Sequence, residues 1–312
     1  MGKHPGLGER AEKLEDFFAT PEDLEILDPH LTLGYFHRLE LILGECPIKI
    51  YAASSLKHPW PYRLQKAGDC HRASFWRSQH RILDSNILDP SLTNQEILDE
   101  AIEKKATAVV AKDYLPFDIY DAREFDLPEI TGATNHLDAT IQSIEEFVTL
   151  HNPDIHPTAY FPLQIPYDQH IREVRPIVQK SHLEERYVLG GLKDATPEER
   201  IHQAEALRDV IGNEPHLHGL GWGPSDTLVR HLRDNPGLID SIDNSGPSQA
   251  IISDEILDNA WKSRQFGLVK GDFRNSVAGV FEFGMLLQAA HRFTTHNSDF
   301  DESTDQRELF DY

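Results

Sequence analysis

Short β-branched or apolar runs alternate along the chain with longer, charge-rich segments of helical period, the pattern of βα units around a parallel sheet. The runs predict strands at 48–54, 81–84, 106–112, 159–165, 186–190, 216–219 and 238–243. Helices fill the gaps, and several carry their own start signals. Thr93 precedes a helical stretch at 94–105 with Glu96 three residues on, so cap and third residue can satisfy each other's backbone donors. Thr196, Pro197, Glu198 and Glu199 combine an N-cap, a proline at the first position and an acidic first turn ahead of 200–211. Ser225 and Asp226 open a helix at 227–233, Gly212 and Gly237 stand at helix ends, and a last helix is read at 281–293. Seven strands and at least five crossover helices point to an α/β fold, a (β/α)8 TIM-type barrel with insertions.

Such barrels commonly run to about 250 residues as one domain, so 312 residues fit one barrel with decorations. It is placed at 46–297, between an N-terminal helical extension at 1–45 and an acidic C-terminal tail at 298–312. No stretch approaches the ~20 apolar residues of a membrane span, and the N-terminus lacks the apolar core of a signal peptide. A soluble, cytoplasmic protein with no membrane partner is expected. Cys46 and Cys70 are the only cysteines and belong to no CxxC pair, which excludes a disulfide framework and a cysteine-rich metal site. No cofactor and no metal are expected.

Charge complicates the choice of ligand. A formal balance of -22, from 52 acidic against 30 basic residues, argues against a polyanion. Between 57 and 81, however, Lys57, Arg63, Lys66, Arg72, Arg77 and Arg81 face the single acid Asp69, interleaved with Trp60, Tyr62, Phe75 and Trp76. That island is the candidate nucleic-acid surface, with Arg63, Lys66, Arg72 and Arg77 at its centre; the plainer alternative is a basic loop with ordinary aromatic packing. Arg264, Lys270 and Arg274 form a weaker second candidate. The acids are spread along the chain, which favours a surface adapted to a high-salt cytoplasm over an acidic segment that mimics nucleic acid.

Catalytic groups of a parallel barrel lie at the C-terminal ends of its strands. Five runs end in polar residues or glycines there: Asp84, Asp113, Gln164, Gly190-Gly191 and Asp243. An isolated aspartate in such a position is commonly a helix cap. Three carboxylates, an amide and a glycine pair converging on one mouth instead suit a flat heterocycle rich in hydrogen bonds. A guanine edge offers its N1–H and 2-amino group to a carboxylate, and its O6 accepts from an amide or a bare glycine N–H.

The order of these motifs resembles the tRNA-guanine transglycosylase superfamily, over roughly residues 80–250. Tyr187-Val188-Leu189-Gly190-Gly191-Leu192 looks like that family's base-binding V-G-G-L segment. The run from His218 to Asp226 is similar to its G-[VI]-G-x-P-x-D segment, and Asp243-Asn244-Ser245-Gly246-Pro247-Ser248 falls where it has D-x-x-x-P-[TS]-R. Asp84-Ser85, Asp113 and Gln164 sit where it has its general base, its purine-recognising aspartate and its base-contacting glutamine. The resemblance implies a pentosyltransferase working by double displacement. Asp243 would attack C1′ and leave a glycosyl-aspartate, and Asp84 would take the N9 proton from the incoming 7-deazaguanine. Asp113, Gln164, Gly190, Gly191 and Leu192 would hold the base.

Departures bear on the substrate. The family's zinc cluster, C-x-C-x-x-C plus a histidine, has no counterpart after Cys70, and a lone His291 does not replace it. Gln249 stands where the nucleophile motif ends in arginine, and Asn86-Ile87-Leu88 replaces the general-base motif's glycines and aromatic residue. These losses lean toward the superfamily's DNA-modifying branch, found in phages, archaeal viruses and some bacterial clusters. Its members exchange guanine in DNA for a 7-deazaguanine of the preQ0 or preQ1 type. The acidic composition then suggests a halophilic archaeon or its virus, and host cytoplasm as the location. The alternatives are the same exchange on tRNA, a non-catalytic nucleic-acid-binding subunit, and a glycosidase using Asp84 and Asp243 as its acid pair. A homodimer is left open.

Overall fold

The computed structural model describes residues 44, 46–54, 60–70, 75–76, 78–118, 125–191, 195–244, 285–290 and 292–293. Eight parallel strands close into a barrel in chain order. They are β1 (Lys49–Ala52), β2 (Tyr62–Lys66), β3 (His80–Asp84), β4 (Ala108–Val110), β5 (Thr158–Leu163), β6 (Arg186–Leu189), β7 (His216–Gly219) and β8 (Ser241–Asn244). Closure runs through four aligned pairs between β1 and β8, from Lys49–Ser241 to Ala52–Asn244. The helices between strands are α1 (Asn94–Glu103), α2 (Leu127–Thr131), α3 (His136–Leu150), α4 (Tyr167–Ser181), α5 (Pro197–Ile211) and α6 (Asp226–Asp234). This is the expected (β/α)8 barrel.

Local chemistry explains where helices begin. Thr93 and Glu96 form a reciprocal capping box at α1, and Thr196 and Glu199 do the same at α5 with Pro197 in the first turn. Ser225 caps α6, and Gly212 ends α5. The strands β1, β3, β5, β6 and β7 fall inside or within one residue of their predicted runs, β4 forms the inner part of its run, and β8 covers the end of 238–243 and one residue beyond it.

β2 is the strand that the hydrophobic pattern does not reveal. Its sequence, Tyr-Arg-Leu-Gln-Lys, reads as part of the basic island, yet its first four residues are buried. Arg63 is fully buried, donating through Nε to Ser78 Oγ at 3.2 Å and through Nη1 to the Ser54 carbonyl at 3.0 Å. A buried cation is tolerated when its donors are satisfied in this way.

The barrel lumen is polar and aromatic. Tyr51 of β1 meets His218 of β7 at 5.4 Å between ring centroids, and Tyr160 of β5 meets His216 and His218 at 5.5 and 6.5 Å. None of these strand pairs are neighbours, so the side chains reach each other through the inside of the barrel. Among the described residues, no helix is long and apolar enough to cross a membrane. The extension assigned to 1–45 apart from Gly44, positions 281–284 and 291 of the last predicted helix, and the tail at 298–312 lie outside the described residues.

Candidate active site

The strand ends bring the sequence-selected residues together at one mouth. Asp84 closes β3, Asp113 follows β4, Gln164 follows β5, Gly190 and Gly191 follow β6, and Asp243 sits in β8. All three carboxylates are buried, with 3–5% of their surface exposed. They are close enough to feel one another although β3 and β8 are separated by two strands. Burial raises the Asp84 carboxyl to about 6; Lys66, aligned with it in β2, opposes the rise, and the Asp243 charge adds to it. Burial likewise raises Asp113 to about 7, against hydrogen bonds from Gln164 and the Tyr114 N–H, with repulsion from Asp84 adding to the rise.

Asp113 and Gln164 form one unit. The Gln164 side-chain amide donates to both Asp113 oxygens at 2.7 Å, and Thr140 Oγ1 donates to Oδ1 at 3.2 Å. Gly191 has to be bare where it passes this unit, whereas a Cβ on Gly190 would meet Asp113 and Gln164 at van der Waals distance. A Cβ on Gly191 would stand 2.8 Å from Gln164 Oε1, and its φ of +76° belongs to the left-handed region that side chains disfavour. Tyr167 Oη donates to the Gly190 carbonyl at 2.6 Å and pins the segment from α4.

Asp243 is held from the loop after β7. The Gly221 N–H donates to its Oδ1 at 2.5 Å, and the Gly223 N–H donates to its backbone carbonyl. Arg200 of α5 anchors that loop by donating to the Gly221 and Trp222 carbonyls. Below, His218 Nε2 stands 3.4 Å from Asp243 Oδ1.

Several of these supports were not selected from the sequence: His218, Ser241, Gly221, Tyr167, Arg200 and Lys112. For the two histidines of β7 the signal existed, because His-Leu-His in a strand puts both rings on one face. Lys112 gave no such signal. It is 1% exposed, and its ammonium donates to the carbonyls of Asn86 and Asp89 at 3.3 and 2.5 Å, closing the loop that follows Asp84.

The proposed nucleic-acid surface is corrected in part. Arg63 is committed inside the protein and cannot meet a phosphate. Trp60 and Phe75 are fully buried, with Trp60 donating to the Ile50 carbonyl, so they are core residues and no stacking platform. Arg81 is spent on the carbonyls of Lys105 and Ser78. Lys66 ends β2 level with Asp84 and lines a cleft of about 730 Å³ with Asn86, Asp89 and Phe125, a cleft that none of the three aspartates lines. Arg72, Arg77, Leu192, His291, the segment 245–249 and Arg264, Lys270 and Arg274 lie outside the described residues.

Taken together, the fold and the mouth define a (β/α)8 barrel with three buried, mutually repelling carboxylates at the C-terminal ends of its strands. Two of them are poised to carry a proton near neutral pH, and the third accepts from the Gly221 N–H. No family model and no curated protein matches this chain. The zinc of the transglycosylase family does not fit the donors present, since no cysteine follows Cys70.

Proposed function

We propose that this chain is a pentosyltransferase that exchanges guanine in DNA for a 7-deazaguanine, with no cofactor. The observation that carries the reading is the placing of Asp84 and Asp243 at one mouth beside the Asp113–Gln164 unit and the bare Gly190-Gly191 segment. Within it, an Asp243 oxygen attacks C1′ as the C1′–N9 electron pair leaves with guanine, which takes up a proton from Asp84 or water. A glycosyl-aspartate remains. Asp84 then accepts the N9 proton of the incoming 7-deazaguanine, whose nitrogen forms the new bond to C1′ and releases Asp243. A carboxyl raised to about 6 is suited to both directions of that transfer.

Gln164 already donates to Asp113, so the purine edge would slot against a pair that is pre-aligned, with the Gly191 N–H facing its O6. Taking a base out of a duplex costs a few kcal/mol of unstacking, which contacts to the flanking strand must offset. Lys66 is the cation standing at the mouth for that purpose.

The test is mass spectrometry of nucleosides from DNA and from tRNA, each incubated with the protein and a labelled 7-deazaguanine. Label in DNA is the expected result. Label in tRNA alone transfers the proposal to RNA, and label in neither, with no exchange of labelled guanine, removes it.

A further inference from the structure

The lumen beneath Asp243 carries histidines and tyrosines where barrels usually carry branched aliphatic residues. Ser241 Oγ lies 3.2 Å from His216 Nε2 and 2.8 Å from His218 Nδ1, so one hydroxyl joins both rings. The outer nitrogen of His218, Nε2, is buried and makes no hydrogen bond, although Asp243 Oδ1 lies only 3.4 Å from it. His218 is fully buried, with the rings of Tyr51 and Tyr160 against its own. A buried ring nitrogen without a partner is costly, and a small rotation of the ring or of the carboxylate would join the two.

We infer that His218 is the positioning residue for Asp243: its Nε2–H donates to Oδ1, and the Ser241 hydroxyl fixes that tautomer by donating to Nδ1. The inference rests on the base-exchange reading for its chemical consequence. Ser241 Oγ accepts in turn from His216 Nε2–H. Burial lowers the His216 pKa, and Asp240, whose Oδ2 lies 3.7 Å from His216 Nδ1, opposes that shift; the ring donates to Ser241 as the tautomer that carries its proton on Nε2. With the Gly221 N–H also on Oδ1, both donors turn that oxygen inward and leave Oδ2 to form the bond to C1′. No proton moves along the chain. In the glycosyl ester, Oδ1 is the carbonyl oxygen, and it becomes a charged carboxylate oxygen as the incoming nitrogen displaces the aspartate. The hydrogen bond strengthens in that direction, so its loss falls on the second half-reaction.

The experiment compares His218→Met, which preserves volume but removes the donor, with His218→Gln, whose amide nitrogen reaches the place of Nε2. His218→Met should lower kcat about tenfold or more and accumulate the covalent adduct, with KM for the free base unchanged within about twofold. His218→Gln should return kcat to within about threefold of the native protein. Native kcat in the Met variant, or a Gln variant no better than Met, overturns the inference. Imidazole nitrogen NMR gives a readout that needs no activity: His218 should show a protonated Nε2 and a bare Nδ1, and the opposite tautomer also overturns it. If that tautomer is found in a native protein that forms no adduct with DNA or tRNA, the base-exchange reading fails while the hydrogen bond stands.

Discussion

Asp113 and Asp84 make the folded state sensitive to pH in a direction opposite to that of a paired carboxylate. Their folded pKa values lie above the roughly 3.9 of an unfolded aspartate. Stability is therefore fullest below that value and is lost as pH rises, through about 6 for Asp84 and about 7 for Asp113. Asp113→Asn removes the larger burden, since an amide keeps most of the contacts to Gln164, Thr140 and Tyr114. Thermal melts should show this variant more stable than the native protein by several degrees at pH 8, with the gain shrinking as pH is lowered toward 4. A gain independent of pH would show that Asp113 is not the titrating group. On activity, Asp243→Ala should abolish both base exchange and any trapped adduct. Asp84→Ala should still form adduct, because water can protonate the departing guanine, but should not turn over. Gel detection of the covalent complex beside turnover separates the two roles, and full activity of Asp243→Ala would end the nucleophile assignment.

Among the elements, the loops after β3 and β6 matter most. The loop after β3 is closed by Lys112, whose ammonium replaces water for buried carbonyls. Burial lowers its pKa to about 8, with Asp113, Asp89 and Asp84 acting against that change. Lys112→Met should leave those carbonyls without a donor, and hydrogen exchange at 85–92 should quicken by on the order of a hundredfold, reflecting roughly 2–3 kcal/mol of local stability. Slower turnover of the covalent adduct in the same variant would follow from a misplaced Asp84. The segment after β6 has no room for a side chain at Gly191. Gly191→Ala adds a left-handed alanine and a contact with Gln164, so it should cost about 1–2 kcal/mol in denaturant melts and weaken free-base binding at least about tenfold. Unaltered base binding in Gly191→Ala would argue against a cradle at this place. Helix starts such as Thr93 and Thr196 were readable in the sequence because a cap is a matter of three or four consecutive residues. β2 was hidden because its polar residues are satisfied by partners distant in the chain, which no local pattern records.

For the molecule as a whole, a charge of -22 sets a repulsive field that salt screens, with a Debye length falling from about 10 Å at 0.1 M to about 3 Å at 1 M. Melting temperature should rise by about 5 °C or more between 0.1 and 1 M KCl; a flat or falling dependence would speak against an acidic surface adapted to salt. What the sequence determined by itself is the βα alternation, hence the barrel, together with the strand ends that carry Asp84, Asp113, Gln164, Gly190 and Asp243. Both follow from short-range rules, the period of hydrophobic positions and the geometry of parallel strands. Only the tertiary structure decided that Arg63, Trp60 and Phe75 belong to the interior, since a basic run with aromatic residues looks the same whether it coats a surface or threads a barrel wall. It likewise decided that His218, Ser241 and Gly221 gather around Asp243, and that Asp113 takes Gln164 as its partner. Those contacts join residues from separate strands and loops, and barrel closure is what brings them within hydrogen-bonding range.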